Sequence, residues 1–430
     1  MFKHSGKRAR KNLEDTCIDM LNPVSVSFNQ IKIPSFGAKN YQTNPIYASG
    51  LKTDRFEHSQ SAVNISFTSV DDTIIGKSIR ELGDVPCPYC GIRVINGKEI
   101  SHLNKENLGG TSKEAISLLK PFEDRMHPVE KQVFHLLEDL SKKEPKKNLR
   151  QLLEKVRPEH LETLKQQEFD IFSRMSNFSS KNFKNKDDAE KIDAFLNEAI
   201  DIVQKQDENY IFRRHRFLEK FENTTEKMTD KKTVEGLRKI AEELPRGHDS
   251  VSAFIVKFTQ KDPKTKQEKT PYQIGISIVE PSVGSLEHIK PRHPQDKSAG
   301  GENKYSNYIY ASREWNIRRK NTPLDKWVKQ NPEIIDNMQK YMDTVIEKIN
   351  NGEVLKRCRV YPIIVAETLE KESKGLIKLD TSKLKLSKEQ IKTERARIEQ
   401  EEKSKSEKTE KSKKGSSKKK ITDTNLNVVA

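Results

Sequence analysis

The most regular pattern in the chain is a helical one. From about Thr111 to Leu244 apolar residues recur at three- and four-residue spacing. Val133, Leu136, Leu137 and Leu140 form one stripe; Ile192, Phe195, Leu196, Ala199, Ile200 and Val203 form another. That period places apolar side chains on one face of a helix, so the stripes read as packing faces of a helical bundle with no chemistry attached. Pro121, Pro128, Pro145 and Pro158 are expected to divide the first half into separate helices, and Ser179 to Lys186 to form a loop. After Pro245-Arg246-Gly247 the pattern changes. Val251 to Phe258 and Tyr272 to Val279 are rich in Val, Ile and Phe, and are predicted as two strands joined by the charged turn Lys261–Lys269. Leu324 to Ile349 is helical again, with Trp327, Ile334, Met338, Met342, Val345 and Ile346 available for burial. Val360 to Val365 reads as one more strand.

The ends of the chain show less order. Residues 1–70 have short apolar groups without a sustained period and are expected to be mostly extended or disordered. Gly83-Asp84-Val85-Pro86 is a turn signal leading into Cys87-Pro88-Tyr89-Cys90-Gly91. Ile92, Val94 and Ile95 then predict a short strand that ends at the hairpin signal Asn96-Gly97. From Lys371 onward the chain is charged and poor in aromatic residues, as expected of a solvated helix that fades into a disordered tail. These readings predict an α+β fold, predominantly helical, with disordered termini. The expected divisions are residues 1–70, a short β segment over 71–110, a helical domain over 111–247, a second domain over 248–368 and a basic tail over 369–430.

Composition narrows the classes. Hydrophobic residues make up 33% of the chain and charged residues another 33%, so part of it cannot bury enough apolar surface to offset the entropy of ordering. No run approaches the roughly 18 apolar residues of a membrane span. Met1 to Asn12 carries five basic residues with no apolar segment after them, unlike a secretory signal. A membrane is therefore not an expected partner. The net charge is +16; between Lys403 and Lys420 nine lysines and two glutamates give +7, leaving +9 for the rest. A polyanion, and so nucleic acid, is the partner this charge implies. The four cysteines, Cys17, Cys87, Cys90 and Cys358, are too sparse for a disulfide framework, which points to a reducing, cytoplasmic setting.

One stretch carries chemistry. Ser285-Leu286-Glu287-His288-Ile289-Lys290-Pro291-Arg292 is followed by Gly300-Gly301-Glu302-Asn303, by Ser306-Asn307-Tyr308-Ile309-Tyr310, and by Trp315-Asn316-Ile317-Arg318-Arg319-Lys320. Adjacent residues on a strand diverge, so of Glu287 and His288 one can face a metal while the other faces a water. Gly300-Gly301 allows a tight turn before a second strand at Asn307–Ser312. Asn316 falls in the first turn of a short helix beside three basic residues. The chain has three Glu-His pairs, and only this one has such a sequel; Glu57-His58 and Glu159-His160 do not.

The arrangement resembles the HNH, or ββα-metal, endonuclease family. In that pattern an acidic residue and His precede an apolar-any-Pro triplet, then Gly-Gly, then Asn with an apolar neighbour, then Asn or His nine positions on, then basic residues. Glu287-His288-Ile289-Lys290-Pro291, Gly300-Gly301, Asn307-Tyr308 and Asn316 follow it over about residues 270–330. The resemblance implies an endonuclease that hydrolyses phosphodiester bonds, DNA ahead of RNA, with His288 as the general base and Asn307 bracing the loop that orients it. It implies one divalent cation, Mg²⁺, held by Glu287 and Asn316. It further implies Arg318, Arg319 and Lys320 at backbone phosphates. Many members add Cys pairs around this core for a structural zinc. Here the second pair is replaced by Ser312 and Trp315, and Cys87 and Cys90 lie far upstream. The two cysteines are expected to bind nothing, with a structural Zn²⁺, completed by Cys17, Cys358 or His102, as the lesser alternative. Cys-Pro-Tyr-Cys also resembles a glutaredoxin redox motif, but no helix is predicted after it. The rival overall reading is a non-catalytic nucleic-acid-binding protein with a degenerate HNH-like core.

Overall fold

The computed structural model describes residues 79–206, 212–261, 267–296, 298–354 and 359–404. The expectations for residues 1–70, Cys17, Cys358 and the lysine-rich segment past 404 fall outside them. The described residues are predominantly helical, with one two-stranded antiparallel sheet. In chain order come α1 (Lys105–Gly109), α2 (Ser112–Leu119), α3 (Pro128–Lys143), α4 (Leu149–Asn182), α5 (Lys186–Gln204), α6 (Arg214–Thr225), α7 (Lys231–Glu242), α8 (Val251–Thr259) and α9 (Pro271–Val279). They are followed by β1 (Gly284–His288), β2 (Tyr308–Ser312), α10 (Arg313–Arg319), α11 (Leu324–Gln330), α12 (Ile334–Asn350), α13 (Tyr361–Glu372) and α14 (residues 388–404). Among the described residues no helix is long and apolar enough to cross a membrane.

Several elements differ from the sequence expectation. The runs predicted as strands at Val251 and Tyr272 are the helices α8 and α9. Both are buried on nearly every side, so no 3.6-residue period shows in them. Their starts are marked instead by caps. The Ser250 hydroxyl accepts from Ala253 N at 3.1 Å, and Thr270 and Gln273 form a reciprocal capping box ahead of Pro271. The strand predicted over Val360 to Val365 is the start of α13, with Pro362 in its first turn. Residues 86–95 make isolated bridges, Pro86 with Arg93 and Ile95 with Val283, in place of a strand. Pro158 does not end a helix: α4 runs for 34 residues through it, because Leu152, Leu153, Leu161 and Leu164 are buried on both sides of the one lost hydrogen bond. The loop expected from Ser179 shrinks to residues 183–185.

Two apolar cores occupy the helical region. α2, α3, α8 and α9 enclose one, and α4 to α7 enclose an aromatic-rich other, where Phe172, Phe195, Phe217 and Phe221 pack together. A third core gathers Val85, Cys87, Tyr89 and Val94 from one end of the chain with β2, α11, α12 and α13 from the other. Leu369, Ile377 and Ile398 are buried in it, so the region expected to begin a tail at 369 is folded through α14. The helical region leaves this third core at Ile95 and returns to it at Val283. Ile95 N donates to Ser282 O at 2.8 Å, and Gly284 N donates to Ile95 O at 3.0 Å.

Candidate active site

β1 and β2 pair from Gly284 opposite Ser312 to His288 opposite Tyr308, and α10 follows β2 directly. The order is strand, loop, strand, helix. The loop between the strands is fastened by one amide. Asn307 Oδ1 accepts from Lys290 N at 2.7 Å, while its Nδ2 donates to Lys290 O at 3.1 Å and Glu302 O at 2.9 Å. Asn307 is 6% exposed, so these bonds are made away from competing water. Gly300 and Gly301 are needed here for room more than for a left-handed turn. A Cβ on Gly300 would stand 2.0 Å from Arg292 O, and one on Gly301 would stand 2.1 Å from Lys290 O.

Glu287 and His288 diverge from the end of β1. Glu287 is buried and its Oε1 accepts from Arg319 Nη1 at 2.6 Å. Burial pushes the Glu287 carboxyl up to about 7 against the pull of Arg319. Arg319 is itself fully buried. It also donates to Tyr89 Oη at 3.0 Å, His288 O at 2.7 Å and Ile289 O at 2.5 Å. This guanidinium therefore fixes both the acidic side chain and the backbone that carries His288. His288 is half-buried on the other side. Its Nε2 donates to Asn303 Oδ1 at 2.9 Å and its ring lies 4.6 Å from that of Tyr308, the residue opposite it across the strands. With Nε2 protonated, Nδ1 is the basic nitrogen. Burial holds the imidazole below its ordinary value, opposed by Asn303, so the ring is neutral near pH 7.

α10 brings the last residues of the motif to β1. Asn316 Nδ2 donates to Ser285 Oγ at 3.1 Å and Leu286 O at 3.2 Å. Ser285 and Glu287 share a face of the strand, so Asn316 reaches the face that carries the carboxylate. Of the three basic residues expected at phosphates, Arg319 is corrected: a fully buried side chain with these partners is an internal strut. Arg318 is partly exposed but is held by Glu314 and Asp249, each at 2.8 Å. Lys320 is exposed just past the helix.

No family model, curated protein or solved structure matches this chain. The site is therefore read from its own geometry.

That geometry joins parts of the chain that the sequence keeps far apart. Ser312 N donates to Cys87 Sγ at 3.3 Å, and Cys87 Sγ lies 3.5 Å from Ser312 Oγ. Tyr89, between the two cysteines, meets Arg319 and packs edge-on against Trp327, which in turn meets Trp315. Burial raises the Cys87 thiol, but hydrogen bonds with Cys90 and Ser312 outweigh it and bring it down to about 6; Cys90 is held well above the usual thiol range. The described partners of Cys87 are thus a hydroxyl, an amide and a second thiol. Of the residues that could complete a zinc site with Cys87 and Cys90, His102 is stacked on Phe122, and Cys17 and Cys358 fall outside the described residues. Among the described residues no group of three or more His, Cys, Asp or Glu is arranged to hold a metal ion. Glu287 and Asn316 supply one carboxylate and one amide. Both are oxygen donors of the kind a hard, largely hydrated cation takes, with Glu287 Oε1 already shared with Arg319. The sequence reading missed the parts played by Tyr89, Asn303 and Ser312, and gave Arg319 a phosphate contact in place of its internal role. Arg319 had a signal: it lies three residues after Asn316, on the same helix face.

Proposed function

We propose that this chain is a metal-dependent endonuclease of HNH type that hydrolyses phosphodiester bonds in nucleic acid, DNA ahead of RNA. The supporting observation is the β1–loop–β2–α10 path. Along it, half-buried His288 lies beside the loop that Asn307 braces, and Asn316 reaches the Glu287 face of β1. His288 Nδ1 takes the proton of a water as that water attacks phosphorus, while Asn303 holds the ring through Nε2. Arg319 keeps the His288 backbone in place through the carbonyls of His288 and Ile289. Glu287 and Asn316 would hold a divalent cation, Mg²⁺, which when bound supplies positive charge at the scissile phosphate and the leaving oxygen. Lys320 is available to a backbone phosphate.

The test is incubation of purified protein with plasmid DNA and Mg²⁺, with and without chelator. Chelator-sensitive cleavage that disappears in His288→Ala is expected. Cleavage that persists in His288→Ala overturns the assignment. A second reading, a nucleic-acid-binding protein without catalysis, is favoured by one observation: Glu287 is closed in an ion pair with Arg319. Binding without cleavage under every divalent cation tried selects it.

A further inference from the structure

We propose that Arg292 and Lys320 form a phosphate clasp that seats one strand of nucleic acid across His288. The proposal rests on the nuclease reading above and supplies the backbone contacts that buried Arg319 does not make. Its basis is a pair of ties between the chain that follows β1 and the end of α10. At one tie Arg319 donates to His288 O at 2.7 Å and to Ile289 O at 2.5 Å. At the other Gln295 N donates to Asn321 O at 3.1 Å. Arg292 lies midway between Ile289 and Gln295, and Lys320 lies between Arg319 and Asn321. Three residues span at most roughly 10 Å, so both cations are held on one short stretch of surface beside His288.

Both side chains are exposed, and among the described residues neither forms an ion pair. Their neighbours differ. Arg313 is paired with Glu280, Arg318 with Asp249 and Glu314, Arg319 with Glu287, and Lys304 with Glu302. A paired cation must give up its carboxylate before it can neutralise a phosphate; Arg292 and Lys320 need not. The Arg292 guanidinium can also take two oxygens of one phosphate. Lys320 carries a second sign. Its φ is 52°, in the half of backbone space that glycine enters at least cost, where α10 ends. Lys374, the other described residue besides glycine with such a φ, donates to Asp325 at 2.7 Å; Lys320 has no such acid. Burial holds the His288 ring below its ordinary value and the charge of Arg292 adds to the effect, which puts the guanidinium near the imidazole. Asp296, the one acid between Ile289 and Asp296, accepts from Ser298 N at 3.1 Å and has Lys326 nearby.

The test uses the full chain in a His288→Ala background, so that the probe, a short DNA duplex, survives. Binding is followed by fluorescence anisotropy across a salt series. Each phosphate contact contributes about 0.9 to the slope of log affinity against log salt. Arg292→Gln and Lys320→Gln should therefore each flatten the slope by about 0.9, and the double variant by about 1.8. Arg292→Lys keeps the charge and should keep the slope, which a role in the fold alone would not predict. Lys232→Gln, the same loss of charge at an exposed position on α7, should leave the slope as it was. An unchanged slope in the double variant, or an equal fall in Lys232→Gln, overturns the clasp. Failure of the unaltered chain to cleave under any divalent cation overturns the nuclease reading instead, and is separate from the binding slopes.

Discussion

The helical region and the strand–loop–strand–helix unit that succeeds it are held by different means. In α4 to α7 stability is spread over many aliphatic and aromatic contacts, none of which dominates. In the β1–β2–α10 unit two polar side chains do most of the positioning: Asn307 closes the loop and Arg319 ties Glu287, Tyr89 and two carbonyls together. Distributed packing tolerates single changes and says little about function. A few fully used hydrogen-bonding groups tolerate almost none, and fix where reactive atoms lie.

The largest expected effects separate stability from rate across these regions. His288→Ala should lower Mg²⁺-dependent cleavage by about 10²–10⁴-fold and leave the unfolding midpoint nearly unchanged. Leu196→Ala in α5 should do the reverse, costing about 2–5 kcal/mol in denaturant unfolding while the folded fraction cleaves at the normal rate. If Leu196→Ala lowers the rate of the folded fraction, the two regions are coupled and the contrast fails.

Next in size is Arg319→Met. Removing one partner leaves Glu287 buried without its counter-charge, at a cost of about 3–5 kcal/mol by chemical denaturation. Adding Glu287→Gln should return part of that loss, and a double-mutant cycle measures how much. Strict additivity would show that the pair does not couple.

The junction of the regions gives a pH dependence. His127, ahead of α3, is buried and held by burial at about 4 in place of 6.5, with Arg318 of α10 and His248 adding to the effect. The folded value is depressed, so the unfolded chain takes up the proton first as pH falls. The stabilisation is complete above about 6.5 and is lost progressively toward about 4. Over that window the change is about 3 kcal/mol, and His127→Gln should flatten it in urea melts run at several pH values. Equal slopes in both proteins would remove His127 as the cause.

The smallest effect belongs to the exposed pair Arg174 and Glu243, joined at 2.6 Å on the surface of the helical region. Arg174→Ala should leave the unfolding midpoint where it was, in contrast to Arg319→Met, although both break an Arg–Glu pair. A comparable drop would mean that burial does not set the difference.

The sequence made some of this legible and hid the rest for physical reasons. Glu287, His288, Gly300, Gly301, Asn307 and Asn316 were singled out by their resemblance to a family pattern, and the strand, loop, strand, helix order expected around them is the one observed. The α3 and α5 stripes could be read because one face is solvated. α8 and α9 could not, because a helix buried all round carries no period, and only the caps at Ser250 and Thr270 marked them. Arg319 was grouped with Arg318 and Lys320 because adjacency in sequence resembles a basic surface; the helix turns it inward. The meeting of Cys87 with Ser312 depends on contacts across most of the chain, which no local pattern encodes.

The bridge between Ile95 and Val283 makes the whole helical region a closed excursion. Bringing two points so distant in sequence together costs on the order of 5 kcal/mol in chain entropy before any contact there repays it. The contacts of Cys87 with Ser312 and of Tyr89 with Arg319 bridge the same gap in sequence, so once Ile95 and Val283 are joined they add little further closure entropy of their own.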